Sequence, residues 1–486
     1  MYPSEMLLVL ALFGLLVTQN VRRMNRKAAV ACFAVAGAAL VSGLAQGQIR
    51  WQMTPGYLLF AILSVLLLRR TYSHVALRSI GIALGALLLG LAVSLSLALP
   101  IVTLPAPDGA HAVGFESFSL LDEARDDAYF GEPDERREIS LLVWYPGTID
   151  NAPHPRPVRT LWAELYRGPR DPITFFTGYL RGIETHTHEG IPLSPAEAPY
   201  PAIVFSHSFG LTGEQNTLLM EHLASHGYVV IGVTHTRMAL RALSARGEPI
   251  YASPDRFQEA FAEGAADDTR EPDERASRAA AADGGQEAVP EPAERADAMN
   301  EQVGIRAADV RSVLDAIAMP AKAPRELAAI LEQVDADRVG LLGMSLGGTT
   351  VIDVCKIDPR CRAGVNLDGG RFGQHQREPL QTPFLSMVRA GNLRYDEPLL
   401  ATSTSDYYEV LVDGASHPDF CDMTFLMPFM RWLGAAGPIA PMRAVAVVNA
   451  VTLEFFDAYL RGGPKPRFDP QELPELRVTT NVRVAH

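Results

Sequence analysis

The chain has 486 residues, more than one domain of ordinary size needs, and its 48% hydrophobic content is high for a wholly soluble enzyme. Its net charge of −13 is unevenly split: before Pro105 there are eight Lys or Arg and one acid, Glu5, and the acidic excess lies beyond. A basic, apolar head on an acidic body argues against nucleic-acid binding, which wants basic patches on the folded domain, and fits a lipid-bilayer anchor carrying a soluble domain.

Residues 1–105 hold four apolar runs, Met6–Val21, Ala28–Ala45, Trp51–Leu68 and Ser79–Leu104. A spanning helix needs about 20 apolar residues, so this head reads as a multi-pass transmembrane region of about four helices, the first of them short. A cleavable signal peptide followed by three spans is disfavoured: no positive charge precedes Met6, and no clear A-x-A site follows. A set of buried soluble helices is the other competing reading. The first connection carries Arg22, Arg23, Arg26 and Lys27, the second only Arg50, and the third Arg69, Arg70 and Arg78. Basic connections stay on the cytoplasmic side, which places the N-terminus and everything after Pro105 outside the cytoplasmic membrane. Trp51 and Tyr57 suit the outer interface.

Residues 106–486 read as the second domain. Ile139–Tyr145 is a predicted strand, Arg156–Glu189 a mixture of helix and loop, and Pro201–Ser206 a buried strand running into the turn His207–Gly210. Thr217–His226 has helical apolar spacing and Tyr228–Thr234 is another strand; strand, helix and strand in this order imply a parallel α/β sheet. Residues 255–298 are an acidic low-complexity insertion, nearly without large apolar residues, that cannot bury a core. Asn300–Met319 resumes as an amphipathic helix, with a short helix at Leu327–Val334. Beyond Val339 come strands at Ala363–Leu367, Thr382–Val388 and Tyr407–Val412, and an apolar helix at Ala444–Leu460. The whole predicts an α/β-hydrolase fold: a mostly parallel central sheet with helices on both faces.

The chemistry gathers on Gly343-Met344-Ser345-Leu346-Gly347, a G-x-S-x-G between an apolar strand and a helix. In such a nucleophile elbow the serine stands on a strained turn above the sheet, and the glycines avoid collisions with neighbouring elements. A glycine-rich turn before a buried helix is the bland alternative. Serine is a weak nucleophile near neutral pH; it needs a histidine to take its proton and a carboxylate to orient that histidine. The hydrolase order Ser…Asp…His selects His417, which follows a late strand in a short loop; His375 lies in a polar loop and His486 at the end. For the acid, Asp368 sits at a strand tip and Asp396 after the next strand; rigidity at a strand tip favours Asp368. The oxyanion donors expected are the backbone N–H groups of Leu346, directly after the serine, and Phe209, in the turn after an earlier strand. Cys355 and Cys361 flank a turn and pair if the domain lies outside the cytoplasm, with free buried cysteines the equal alternative. No His or Cys ligand spacing suggests a metal, and no cofactor is expected.

These residues resemble the platelet-activating factor acetylhydrolase family of the plasma and isoform II type. Val204–Gly210 is similar to its oxyanion segment, Leu223–Tyr228 to its LASHGF block, Asn300–Val303 to its NEQV, Gly343–Ile352 to its elbow, Leu367-Asp368 to its acid segment and His417–Phe425 to its histidine segment. The resemblance covers roughly Ser140 to Leu460 and implies Ser345, Asp368 and His417 as nucleophile, acid and base, deciding for Asp368 over Asp396. It supports Phe209 and Leu346 as oxyanion donors. It implies calcium-independent cleavage of short or oxidised acyl esters of phospholipids. Ser208, Met344 and Gly369-Gly370 depart from the family pattern, and the apolar head is no part of it. A broad carboxylesterase, a polyester or dienelactone-type hydrolase, and a non-catalytic membrane sensor that kept the fold are the alternatives.

Overall fold

A computed structural model of the chain describes residues 1–20, 26–69, 75–127, 135–149, 156–159, 178–244, 246–252, 293–370, 372–392 and 397–481. It divides into two compact units. One comprises Met1–Thr103, Trp162–Glu184 and Leu426–Trp432; the other comprises Leu104–Leu161, Thr185–Phe425 and Leu433–His486.

In the first unit all four apolar runs are helical: α1 Pro3–Asn20, α2 Arg26–Ala45, α3 Thr54–Arg69 and α4 Val75–Ala98. Only two stretches among the described residues, Lys27–Ala45 and Ser79–Ala98, are long and apolar enough to cross a membrane. The expectation of about four spans is corrected to two on that criterion. The reason is length: the 16 residues of α3 rise about 24 Å, short of a hydrocarbon core of about 30 Å. Small and branched residues, among them Leu12, Ala36, Leu59 and Ala92, are buried between the helices, whereas Leu10, Phe13, Val41 and Leu87 face outward. Arg50 donates from Nε and Nη2 to both Glu5 carboxylate oxygens at 2.7 Å, and from Nη1 to the Leu99 carbonyl at 3.1 Å. The start of α1, the α2–α3 connection and the end of α4 therefore meet at one end of the bundle. The basic connections at 21–25 and 70–74 lie outside the described residues.

The strands of the second unit are β1 Ala112–Asp126, β2 Arg136–Gly147, β3 Arg156–Arg159, β4 Glu184–Glu189, β5 Tyr200–Ser206, β6 Val229–Thr234, β7 Arg241–Leu243, β8 Pro249–Tyr251, β9 Val334–Met344, β10 Ala363–Leu367, β11 Phe384–Val388, β12 Tyr407–Val412 and β13 Leu476–Asn481. Eleven form one sheet in the order β13-β12-β11-β10-β9-β5-β6-β2-β1-β4-β3, and β7 pairs with β8. From β12 to β6 every neighbouring pair is parallel. The strands β2 and β13 join that block antiparallel.

Alternate residues of the buried strands face opposite sides, and each side has its own helices. Phe205 and Leu342 pack with Leu219 and Leu223 of α5 (Thr217–Ser225) and with Val447, Val451 and Phe455 of a later helix, Pro441–Leu460. Val204 and Leu341 pack with Val310, Val313 and Leu314 of α6 (Ala293–Ala318) and with Val351 and Val354 of α7 (Leu346–Ile357). Pro441–Leu460 is α8. Several strands stand where none was expected. Ala112–Asp126 and Leu476–Asn481 are strands where none was expected, and Glu184–Glu189 is a strand where helix and loop were. Their polar, partly exposed sequences carry a weak apolar signal because one face or one edge meets solvent. Most of the acidic insertion lies outside the described residues; its last residues, from Ala293, belong to α6.

Cys355, on α7, and Cys361, just after it, form a disulfide. It closes a small loop, so replacing both cysteines by serine is expected to lower unfolding stability by about 2 kcal/mol. A urea titration of the full chain with and without reductant checks this: reductant should reproduce the loss in the native protein and change nothing in the double variant.

Candidate active site

The strand order reverses between β5 and β9: β6 lies on one side of β5, and β10, β11 and β12 follow on the far side of β9. Open α/β sheets bind ligands at the carboxyl ends of their strands beside such a reversal. The two strand ends are adjacent there, with Ser206 paired to Gly343. Each then breaks into a turn, His207–Gly210 after β5 and Ser345 after β9.

Ser345 has φ 55° and ψ −123°, a left-handed φ that a non-glycine residue holds only when its surroundings impose it. Its N–H donates to the Leu367 carbonyl at 2.8 Å, which fixes the turn to β10. Leu346 opens α7, so its N–H belongs to the unpaired first turn of that helix. The glycines are required by contact. A Cβ on Gly347 would fall on the carbonyl oxygen of Ser206, and one on Gly343 on that of Gly347. Gly347→Ala should therefore push α7 off β5. The expected result is loss of soluble folded protein or a fall in thermal midpoint of 5 °C or more (about 1–3 kcal/mol), read by melting the full chain.

Asp368 follows β10, and its N–H donates to the Met387 carbonyl at 2.8 Å. It also has a positive φ, 52°. His417 begins a turn of 3-10 helix after β12, capped by Ser416 and Asp419. Its Nδ1–H donates to Asp368 Oδ2 at 2.6 Å, with the Asp368 side chain fully buried and the His417 ring 26% exposed. The structure thus joins Asp368 to His417 directly. It also joins Asp368 to the elbow, since a Cβ on Gly369 would meet the Ser345 carbonyl oxygen. That close approach explains why glycine stands after Asp368 here. Phe209 lies on the loop beside the elbow, where Gly347 sits against Ser206 and His207. Asp396 lies outside the described residues. His375 is paired with Asp353 at 3.0 Å, away from the strand tips.

Three supporting groups carry no motif. Arg389 donates its backbone N–H to Asp368 Oδ1 at 3.1 Å and sets its Nε 3.2 Å from Oδ2, clamping the carboxylate bonded to His417. Gln215 accepts the Ser208 N–H at 2.7 Å and donates to Met344 Sδ at 3.0 Å, bracing the His207–Gly210 turn against the residue before Ser345. Beneath these lies a fully buried chain in which Ser206 Oγ meets His235 Nε2 and His235 Nδ1 meets Asp309 Oδ2, each at 2.9 Å. It has Ser-His-Asp wiring but no exposure to substrate, and it anchors the end of β5. Arg306 donates to the His207 carbonyl at 2.7 Å from the same region. Burial, then the Arg306 charge, holds His207 neutral, well below the usual imidazole range. Burial pushes the nearby Cys421 thiol up to about 12, so it supplies no thiolate.

A mostly parallel sheet with helices on both faces and a strained serine at its carboxyl edge defines an α/β-hydrolase. Residues 172–258 and 290–463 match the family described as platelet-activating factor acetylhydrolase, isoform II, and the interruption falls within the acidic insertion. The chain belongs to that family. Among curated relatives it is 25% identical over 283 residues to the platelet-activating factor acetylhydrolase of Cavia porcellus, covering 55% of this chain and 59% of that protein. It is 23% identical over 392 residues to that of Gallus gallus, covering 74% and 83%. Among solved structures, a ferulic acid esterase from Streptomyces cinnamoneus superposes with a TM-score of 0.59 at 25% identity, over 79% of this chain and all of that one.

Proposed function

We propose that the chain is a serine ester hydrolase with Ser345 as nucleophile, His417 as general base and acid, Asp368 as the carboxylate that orients it, and the backbone N–H groups of Leu346 and Phe209 as oxyanion donors. The 2.6 Å bond from His417 Nδ1–H to Asp368 carries this reading, because it fixes the tautomer that leaves Nε2 with a lone pair. Ser345 Oγ loses its proton to that nitrogen and attacks the ester carbonyl. The negative charge forms where the two amide donors converge. His417 then returns the proton to the departing alcohol, and water repeats the sequence on the acyl-enzyme.

The substrates proposed are short or oxidised acyl esters of phospholipids and similar small esters, as the family relationship suggests. The ferulic acid esterase likeness favours a second reading, a broader carboxylesterase taking aryl or polyester substrates. A non-catalytic sensor has no need of the clamped Asp368–His417 pair. A fluorophosphonate probe followed by peptide mapping tests the nucleophile: modification is expected at Ser345, and labelling elsewhere would refute the assignment. Comparing sn-2 acetyl phospholipid, p-nitrophenyl butyrate and an aryl ester on the full chain separates the two substrate readings.

The head is proposed as a multi-pass anchor in the cytoplasmic membrane, with the catalytic domain, residues 106–486, outside the cytoplasm. The outward apolar faces of α1–α4, the two long helices and the meeting of Glu5, Arg50 and Leu99 at one end support it. A disulfide in the hydrolase unit suits an oxidising compartment. Alkaline phosphatase fused after Pro105 is expected to be active; activity only of a cytoplasmic reporter at that point would reverse the orientation.

A further inference from the structure

We propose that Asp108, His222 and His226 form a binding site for one Zn²⁺-type divalent cation, which fastens the segment entering β1 to the C-terminal end of α5. Asp108 Oδ1 lies 3.0 Å from His222 Nδ1 and 3.8 Å from His226 Nε2, and the donor atoms of all three residues fall within 4.8 Å of one another. Tetrahedral zinc with bonds of about 2.0–2.2 Å sets its ligand atoms about 3.3 Å apart, so small side-chain rotations bring this set into coordination.

The tautomer of His226 points the same way. Its Nδ1 is 2.8 Å from the His222 carbonyl oxygen, which can only accept, so Nδ1 carries the proton. Nε2 is therefore the His226 nitrogen turned toward the Asp108 carboxylate, 3.8 Å away, and it is the one placed to take a cation beside it. His222 Nε2 is buried without a partner among the described residues, which leaves Nδ1, the nitrogen facing Asp108, to interact.

The backbone frame is already in place. Gly109 N–H donates to Ser225 Oγ at 3.1 Å, His111 N–H to the Ser225 carbonyl at 3.0 Å, and Ser225 Oγ to the His222 carbonyl at 2.7 Å. Asp108 is largely exposed, so the cation loads from solvent and a water completes its shell. The helix α5 starts near the carboxyl edge of the sheet and returns the chain to the start of β6, so this site lies at the amino edge, opposite Ser345. Its role is structural.

The test uses the full chain without an affinity histidine tag, in detergent, stripped by a chelator and titrated with Zn²⁺ alone. We expect one equivalent of Zn²⁺ bound per chain by calorimetry and elemental analysis, and a thermal midpoint raised by about 3 °C or more at saturation. Asp108→Asn, a change at an exposed side chain, and His222→Gln should each weaken binding by about 100-fold and remove the Zn²⁺-dependent rise, with ester hydrolysis unaltered. Absence of saturable binding, or equal affinity in native protein and Asp108→Asn, overturns the site.

Discussion

Replacing Ser345 by alanine is expected to lower kcat/KM for p-nitrophenyl butyrate by about 10⁴- to 10⁶-fold, with little change in thermal midpoint. The size follows from the role proposed for the side chain, that of the attacking atom, and from the poor substitute Cys421 makes, buried with its thiol pushed up to about 12. His417→Ala should cost about as much, and the double variant little more than either alone, because the two act as one unit. Asp368→Asn should cost about 10⁴-fold, since an amide there can present N–H to His417 and reverse its tautomer. Fluorophosphonate labelling must fall with the rate in all three. A Ser345→Ala protein that hydrolyses the ester at the native rate would remove Ser345, and with it the proposed mechanism.

The strand–elbow–helix unit was legible because its signals are local: an apolar strand, two glycines with steric duties, and a helix start, all within about a dozen residues. Strands β5, β6, β9, β10, β11 and β12 were legible for a related reason. They are buried on both faces and read as continuous apolar runs. Strands β1, β4 and β13, at or near the ends of the sheet, are partly exposed and polar in sequence, so they lack the continuous apolar run that marks the central strands. Arg389 and Gln215 left no trace, since an arginine after a strand and a glutamine in a turn have a hundred ordinary uses. Only the fold brings them to Asp368 and Met344. Asp108 lies 114 residues from His222, so a ligand set read along the chain finds only the two histidines. The four apolar runs were legible as helices, but run length on paper exceeded helix length in space.

Asp309→Ala is expected to be the most destabilising single change in the hydrolase unit, by about 3–5 kcal/mol. The carboxylate is fully buried and accepts bonds from Arg137 Nε and Nη2 at 3.0 and 2.7 Å, from Arg125 at 2.8 Å and from His235 at 2.9 Å. Burial alone would push its pKa up; the Arg137 charge and the His235 bond more than reverse that and hold it well below the usual carboxylate range. Removing it leaves Arg137 with only Asp127 as a carboxylate partner, and it strips the compensating charge from Arg306. That guanidinium is buried, held down to about 9 by burial, and unpartnered at Nε and Nη2 among the described residues. The damage should also reach the site, because His235, which bonds Ser206, then loses its Asp309 partner, and Arg306 its balance beneath His207, on the turn that carries Phe209. The pH dependence has a definite sign. A depressed carboxyl contributes its full stability above its unfolded value near 3.8 and loses it as pH falls below that. Native protein should therefore lose stability steeply as pH is lowered through about 4, and Asp309→Ala less steeply from a lower starting point. Melting curves from pH 7 to pH 3 on the full chain measure both; equal midpoints for the two proteins at pH 7 would refute the role assigned to Asp309.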